Sequence, residues 1–260
     1  MLAVSLIRII SINVNGIRSA EKKGLFRWLR YQRANIICMQ EVRANRAQIE
    51  SENFYIKGFQ RFLVEAEKPG YSGVAIYTKQ EPIRTINKIG DKEFDAEGRY
   101  IELEFQKFSV ASVYFPSGSS GETRQEAKYR FLDIFDKNLI TKRIKPVIFC
   151  GDFNIAHTKQ DIKNWRGNQK NSGFLPEERL WFEGLLDKGF IDSFRHLNKH
   201  DEEYTWWSNR GRARENNVGW RIDYQVASNF FNRKVKKVKI YREEFFSDHA
   251  PLIIDYELDE

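Results

Sequence analysis

Side chains that can bind metal ions or move protons recur directly after short apolar segments of this sequence. They comprise carboxylates, amides and one imidazole: Asn13, Asn15, Glu41, Asp152, Asn154, Asp223, Asp248 and His249. Taken singly, an Asp or Asn after a strand is more often a turn residue, and a lone His beside an Asp is often an ordinary surface or core histidine. Turns alone do not require this combination at so many strand ends. The set as a whole therefore predicts one shared catalytic cleft.

These groups suit the hydrolysis of a phosphodiester with the help of a divalent ion. Mg²⁺ is a hard cation that prefers carboxylate and water oxygens, so we expect Glu41 to be its main ligand, with Asn15 and Asp248 beside the ion. Hydrolysis also requires an activated water and neutralisation of the charge that develops on the phosphate oxygens. We expect the carboxylate of Asp152 to position and deprotonate that water.

The remaining polar groups fit supporting roles. We expect His249 to donate a hydrogen bond to a non-bridging phosphate oxygen, with Asp223 fixing its tautomer. Asn13 and Asn154 offer amides that can hold either the phosphate or neighbouring carboxylates. Other chemistries lack their motifs, because the sequence contains no G-x-S-x-G nucleophile elbow, no Walker loop and no G-x-G-x-x-G turn.

Apolar, β-branched and aromatic segments bounded by Gly, Pro, Asn or Asp predict strands. They are Leu6–Ile12, Ile36–Gln40, Gly73–Thr78, Tyr100–Phe105, Phe108–Phe115, Val147–Asp152, Arg221–Ala227 and Leu252–Tyr256. Apolar residues at helical spacing predict helices at Leu25–Leu29, at Phe131–Leu139 and after Pro176. Such continuous apolar strands indicate an α/β protein in which two packed sheets carry helices on the outside. Glu41 and Asp152 follow their strands in the same way, which suggests two related halves.

Composition and charge narrow the class of protein. The 260-residue chain has a formal net charge of +7, which favours a polyanionic partner because Lys and Arg neutralise phosphates. Cys38 and Cys150 lie in apolar segments and are expected to be buried free thiols, which suits a reducing cytosol. We find no signal peptide and no apolar segment long enough to span a membrane, so we expect a cytoplasmic protein. No linker divides the chain, and we predict one domain over residues 1–260.

Two basic segments admit both a structural and a functional interpretation. The lysines of residues 234–239 are more typical of the solvated face of an edge strand than of a DNA contact, because edge strands often carry Lys against aggregation. In the loop after Trp206, Arg210, Arg212 and Arg214 alternate, and phosphate contact and simple surface charge are evenly balanced there.

The ordered motifs resemble those of the exonuclease III family of abasic-site (AP) endonucleases, within the endonuclease/exonuclease/phosphatase superfamily. The likeness runs from Ile10–Arg18 to Ser247–Leu252, essentially the whole chain. Between these ends the matching motifs are Met39–Glu41, Gly70–Ala75, Glu97–Arg99, Val113–Pro116, Gly151–Asn154, Asn171–Phe174 and Gly219–Tyr224. Short motifs such as Gly151–Asn154 mark only the superfamily, whereas the ordered set that includes Gly219–Tyr224 is specific to the nuclease branch.

The resemblance implies a four-layer α/β sandwich and hydrolysis of the DNA backbone 5′ to an abasic site, which leaves a 3′-hydroxyl. It also implies 3′-phosphodiesterase, 3′-phosphatase and 3′→5′ exonuclease activity, and dependence on Mg²⁺ with Mn²⁺ as a substitute. The expected substrate is double-stranded DNA with abasic sites or blocked 3′ ends. We expect the protein to act on it as a monomer.

The resemblance also assigns roles at the matching positions. It makes Glu41 the metal ligand, with Asn15 beside it. Asp152 becomes the residue that activates the water or protonates the leaving group, and Asn154 is its neighbour that orients the phosphate. Tyr114 becomes a hydroxyl donor on the phosphate side.

Further positions follow from the same likeness. Asp223 and His249 become a coupled pair beside Asp248. Asn171 would contact the target phosphate, and the pocket for the flipped-out sugar would be lined by Trp206, Trp220 and Ile222. The loop Ser208–Arg214, which contains Arg210, lies where the family varies, and it is expected to reach into the duplex.

Two other classes of function remain open at this point. The same fold could act on a phosphoinositide, a sphingolipid or unspecific DNA, although the Gly219–Tyr224 motif, the pocket tryptophans and the basic balance favour abasic DNA. The chain could also be a non-catalytic nucleic-acid-binding protein. Such a protein should have lost some of the metal or base groups, and here they are all present.

Overall fold

The computed structural model describes residues 4–141 and 143–259. Within this range the strands are β1 (Val4–Asn13), β2 (Ile36–Gln40), β3 (Gln60–Val64), β4 (Val74–Thr78), β5 (Arg84–Ile86), β6 (Tyr100–Glu104), β7 (Ser109–Tyr114), β8 (Val147–Asp152), β9 (Phe190–Asp192), β10 (Trp206–Trp207), β11 (Gly219–Trp220), β12 (Asp223–Ser228), β13 (Val235–Ile240) and β14 (Leu252–Asp259). The helices are α1 (Ile17–Lys22), α2 (Leu25–Leu29), α3 (Lys92–Ala96), α4 (Glu122–Phe135), α5 (Trp165–Asn168), α6 (Pro176–Asp187) and α7 (Ser193–Leu197). A π-helical turn, Asp136–Ile140, continues α4.

The strands form two six-stranded mixed sheets, and β10 and β11 form a small sheet of their own. The first large sheet has the order β13-β14-β1-β2-β4-β3, and the second has the order β5-β6-β7-β8-β12-β9. In each large sheet the central pair is parallel, β1 with β2 and β7 with β8, while the other neighbours are antiparallel. Parallel strands end at the same edge of a sheet, so the residues that follow each central pair are brought together.

The alternation of side chains along the strands builds four layers. In β1, Ile9 belongs to the core between the two sheets, whereas Ile10 packs with α1 and α2. In β8, Ile148 lies in the same central core, whereas Phe149 packs with α4 and α6. Both faces of these strands are therefore buried, which explains why the strands are apolar throughout. The predicted four-layer α/β sandwich is confirmed.

The two long outer helices have sequence features that explain their position. In α4 the buried residues Phe131, Leu132 and Phe135 recur at helical spacing and face the second sheet. In α6 the first helical residue is Pro176, whose fixed φ and missing N–H suit that position. The side chain of Glu178 accepts a hydrogen bond from the amide that precedes this proline, and so completes the first turn.

Every predicted strand occurs, with ends shifted by a few residues, and the hairpin of β6 and β7 is present as expected. β13 is an edge strand whose lysines face solvent, as its sequence indicated. The prediction missed β3, β5 and β9, which are short edge strands with charged residues among the apolar ones. It also missed the two-residue strands β10 and β11. Cys38 and Cys150 are buried and free, as expected.

A cluster of buried charges connects the segment that precedes β12 with the turn that contains Asp161 and with the end of β9. Asp161 Oδ1 accepts hydrogen bonds from Arg221 Nε and Arg195 Nη2, both at 2.8 Å. Arg221 Nη2 donates in turn to Asp192 at 2.7 Å.

Among the described residues, no helix has the combination of length and apolarity needed to cross a bilayer.

Candidate active site

The polar residues singled out in the sequence meet at one rim of the sandwich, where β1, β2, β7 and β8 end. A cleft of about 920 Å³ opens there. Most of the predicted site residues line it: Asn15, Glu41, Tyr114, Asp152, Asn154, Asn171, Trp206, Arg210, Trp220, Ile222, Asp248 and His249. Asp223 and Asn13 are buried directly behind this wall.

Asn13 lies beneath two carboxylates and not on the cleft wall. Its Nδ2 donates to Glu41 Oε1 at 2.8 Å and to Asp152 Oδ2 at 2.9 Å, and its Oδ1 accepts from the amide of Asn15 at 2.9 Å. Both amide hydrogens are therefore used, and the side chain is fully buried. Of the two roles that the sequence left open for Asn13, holding the substrate phosphate or holding carboxylates, these contacts favour the second.

The bridge of Asn13 sets the spacing of the acidic groups. Glu41, Asp152 and His249 each offer one ligand atom, and these atoms lie within 4.8 Å of one another. Groups from three distant parts of the sequence thus converge on a volume that a single small cation could share.

His249 and Asp223 form a buried, hydrogen-bonded pair. His249 Nδ1 lies 2.9 Å from Asp223 Oδ2, and its Nε2 faces Asp152 Oδ2 at 3.9 Å. The backbone amide of Asp223 donates to Thr205 Oγ1 at 3.1 Å, which holds the backbone of this residue in place. One ring nitrogen is therefore oriented by a carboxylate while the other points into the cleft.

The pKa values of the two central groups differ from their ordinary values. Burial alone would lower the pKa of His249, but the carboxylate of Asp223, followed by those of Asp152 and Asp248, raises it to about 10. Burial raises the pKa of Asp152 to about 7, against the opposing charge of His249. Near neutral pH the site thus combines an imidazolium donor with a carboxyl group that can exchange a proton, as general acid–base chemistry requires.

Several donors fix the Asp152 carboxylate in place. Besides Asn13, the backbone amide of Asn154 donates to Oδ1 at 2.9 Å and the Asn154 side chain to Oδ2 at 3.2 Å. Tyr114 stands beside it in register on the neighbouring strand. Burial and the nearby carboxylate of Glu41 keep the pKa of Tyr114 well above its ordinary value, so its hydroxyl stays protonated and can donate.

A further carboxylate, that of Asp248, lines the cleft and is held by two hydrogen bonds. Asp248 Oδ1 accepts from Asn15 Nδ2 at 2.9 Å, and Oδ2 accepts from Trp206 Nε1 at 3.1 Å. Burial would raise the pKa of Asp248, but the charge of His249 and these hydrogen bonds outweigh it and lower the pKa. Asp248 is therefore ionised at neutral pH.

Apolar rings form one wall of the cleft. Trp206 and Trp220 pair across β10 and β11 and meet edge to face, with ring centroids 6.2 Å apart. Ile222 belongs to the same cluster. Asn171 and Lys170 line the same cleft, in the loop whose Gly173 lies against Trp220, so a polar, phosphate-like group and an apolar, sugar-like group could be held side by side.

The arginines of the loop after Trp207 separate in the structure. Arg210 lines the cleft. Arg214 instead stacks on Trp207 and Phe245 and donates to a backbone carbonyl at 3.1 Å. Arg212 points to solvent beside Glu215. Of the three arginines of this loop, Arg210 alone lines the cleft and is placed to meet a substrate there.

The backbone around the carboxylates is left-handed at residues that are not glycine. The φ angles are 43° at Asn15, 50° at Glu41, 51° at Arg43 and 53° at Asn154. Such conformations are strained for residues with a Cβ and cluster at functional sites.

The sequence did not indicate three contributors to this site. Arg43 forms a salt bridge with Glu41, and the only signal was its place two residues after that carboxylate. Thr205 supports Asp223 through its hydroxyl, and nothing in its surroundings marked it. Lys128, on α4, contacts the backbone of Asn154; it recurs at helical spacing with buried phenylalanines, which was an overlooked signal.

Comparison with known proteins agrees with this geometry. Residues 10–249 match the endonuclease/exonuclease/phosphatase family. The chain is 39% identical over 250 residues to an exodeoxyribonuclease of Bacillus subtilis, covering 94% of this chain and 97% of that protein. It is 36% identical to a DNA-(apurinic or apyrimidinic site) endonuclease of Dictyostelium discoideum, covering 94% of this chain and 69% of that protein.

The fold agrees as well. The solved AP endonuclease LMAP of Leishmania major superposes with a TM-score of 0.85 at 25% identity, covering 97% of this chain and 88% of that one. The chain therefore belongs to the endonuclease/exonuclease/phosphatase family and, within it, to the DNA-repair nucleases of the exonuclease III and AP-endonuclease type.

Proposed function

We propose that this chain hydrolyses the backbone of double-stranded DNA 5′ to abasic sites and cleans or trims 3′ ends, using Mg²⁺, with Mn²⁺ as a substitute. The observation that carries the proposal is the bridge of Asn13 between Glu41 and Asp152, with the His249–Asp223 pair beside them. This arrangement lies next to an apolar wall, which suits a sugar flipped out of the duplex better than a sugar that remains within it.

The donor set favours a hard cation. Glu41 would be the main ligand, with Asn15 and Asp248 beside it, and their donor atoms are oxygens. His249 pairs with Asp223 through Nδ1, and we assign it to the phosphate and not to the metal. When bound, Mg²⁺ would supply positive charge to a phosphoryl oxygen.

Asp152 is proposed to orient and deprotonate the attacking water. Its carboxylate is fixed by Asn13 and Asn154, so it does not have to reorganise during the reaction. A pKa raised to about 7 by burial makes it a stronger base than an ordinary aspartate and lets it return the proton to the leaving oxygen.

The charge that develops on the phosphate is proposed to be met by two donors. The imidazolium of His249, oriented by Asp223, directs Nε2 into the cleft. The protonated hydroxyl of Tyr114 lies on the other side of Asp152. Asn171 and Arg210 would hold the flanking phosphates, while Trp206, Trp220 and Ile222 would enclose the extruded sugar.

We further propose that residues 1–260 work as one catalytic domain and as a monomer, in the cytoplasm or wherever the genome lies. The central core shared by both sheets supports a single unit. The exposed lysines of edge strand β13 support a sheet that does not pair with a second copy.

The test is nicking of a duplex that contains one synthetic abasic residue, with Mg²⁺ and with EDTA, beside an undamaged blunt duplex. We expect Mg²⁺-dependent cleavage of the abasic strand, and a loss of turnover by orders of magnitude in Asp152→Asn and His249→Ala. Lys237→Gln, on the exposed edge strand, serves as a control with wild-type turnover. Wild-type rates in either cleft variant at saturating Mg²⁺ would refute the assigned roles.

A further inference from the structure

A buried ion pair lies directly behind the wall of the cleft. Lys128 on α4 and Glu178 on α6 are both fully buried, and Nζ lies 2.5 Å from Oε1. Taking two charges out of water is costly, and a buried pair rarely stabilises a fold more than apolar residues of similar size do. Lys128 shares a helical face with Phe131 and Phe135, so an apolar side chain would suit its position. Packing alone therefore does not explain the pair.

The pair joins two loops that both contribute to the cleft. Lys128 Nζ also donates to the backbone carbonyl of Asn154 at 2.8 Å. The second oxygen of Glu178, Oε2, accepts from the backbone amide of Gly173 at 2.7 Å. The turn after β8 and the loop that carries Asn171 are thereby held to the same two side chains.

Asn154 connects this pair to the central carboxylate. Its backbone is left-handed, and its two nitrogen donors contact Asp152. The two loops also touch directly, since a Cβ added at Gly173, where φ is 92°, would meet the carbonyl oxygen of Asn154 at 3.0 Å. Any movement of one loop therefore shifts the donors that orient Asp152.

We propose that Lys128 and Glu178 are positioning residues, which fix the Asp152–Asn154 turn relative to the loop of Asn171. Neither side chain reaches the substrate, because both are fully buried. Their effect is to make the water-activating carboxylate and the phosphate-contacting amide face one scissile phosphate. The identity of that substrate rests on the proposed function, whereas the coupling of the two loops does not.

The test compares the buried ion pair of the cleft with a largely buried ion pair elsewhere. Lys128→Met with Glu178→Gln removes both charges of the cleft pair, while the new amide keeps an acceptor for Gly173. The matched control is Arg143→Met with Glu102→Gln, a pair with a 2.6 Å contact away from the cleft. We expect both double variants to unfold at lower temperature. In the cleft pair alone, kcat for abasic incision should fall about 10- to 100-fold, since small misplacements of catalytic groups have effects of this size, and KM should change much less.

Hydrogen exchange gives a readout that does not depend on activity. Backbone amides of residues 152–156 and 171–175 should exchange faster in the cleft double variant and at the wild-type rate in the control. Equal losses of kcat in the two double variants, or wild-type kcat in the cleft variant, would overturn the inference. If the wild type fails to nick abasic DNA, the proposed function is wrong. Hydrogen exchange then tests the inference by itself, and wild-type exchange rates in both loops of the cleft double variant would refute it. Glu178→Gln alone, which preserves shape, serves the same comparison if the double variant does not fold.

Discussion

Removal of the Asp161 carboxylate tests the cluster of buried charges that Asp161 forms with Arg195, Arg221 and Asp192. In Asp161→Asn, Arg221 and Arg195 lose the anion that each contacts at 2.8 Å, and Asp192, which contacts Arg221 at 2.7 Å, is left to compensate one of the two positive charges. Deletion of one partner of a buried ion pair costs about 3–5 kcal/mol, because the remaining charge is left uncompensated. With an unfolding entropy of about 2.1 cal/mol/K per residue, a chain of 260 residues should lose roughly 5–9 °C in Tm at pH 7. Thermal unfolding followed by circular dichroism measures this shift.

The pH dependence gives the sign of the effect. Burial would raise the pKa of Asp161, but the guanidinium groups of Arg221 and Arg195 outweigh it and hold the pKa well below its ordinary value. The contribution of this carboxylate to stability is therefore complete above the pKa of about 3.9 that it has when unfolded, and it is lost as pH falls below that value. The difference in Tm between wild type and Asp161→Asn should shrink between pH 7 and pH 3. An equal difference at both pH values would refute the electrostatic explanation.

Three further predictions concern the cleft. Thr205→Val leaves the buried amide of Asp223 without its acceptor, and should cost about 1–3 kcal/mol in the free energy of unfolding and lower kcat, as urea titration and kinetics would record. Trp206→Phe removes the donor to Asp248, and should raise the Mg²⁺ concentration for half-maximal activity; an unchanged Mg²⁺ titration would contradict this. Because the pKa of His249 is raised to about 10 by Asp223, kcat/KM should fall only as pH rises through that value, and Asp223→Asn should move the fall to lower pH; an alkaline limb at the same pH in both proteins would count against the pairing.

The sequence predicted the central part of the fold because its strands are buried on both faces. Ile36–Met39 and Val147–Cys150 are apolar without interruption, and each is followed two residues later by a carboxylate, Glu41 or Asp152. Parallel pairing then brings Glu41 and Asp152 to one rim, which pattern and topology together make predictable. The short edge strands could not be predicted in the same way. In β5, for example, Arg84 and Thr85 are exposed, so the pairing with β6 and not the burial of side chains defines the strand.

The contributors that escaped prediction are those whose role depends on tertiary contact. Lys128 lies at helical spacing from buried phenylalanines, but the burial of its charge depends on Glu178, fifty positions along the chain. Asn13 and Asn15 look alike in sequence. One becomes a buried bridge between carboxylates while the other lines the cleft. Two asparagines only two positions apart thus differ in role, one holding buried carboxylates and the other lining the cleft. No local sequence pattern distinguishes the two roles.

The left-handed backbone at Glu41, Arg43 and Asn154 has a consequence for engineering. Glycine adopts such φ angles without strain, so replacing Arg43 by glycine would relieve the backbone strain at this position but would also remove the ion-pair partner of Glu41. At this rim, a substitution that relieves backbone strain therefore also removes a contact of a catalytic-site carboxylate. Efforts to make a more durable enzyme should start at remote surface positions, because in the cleft the strained geometry is itself what holds the reactive groups in place.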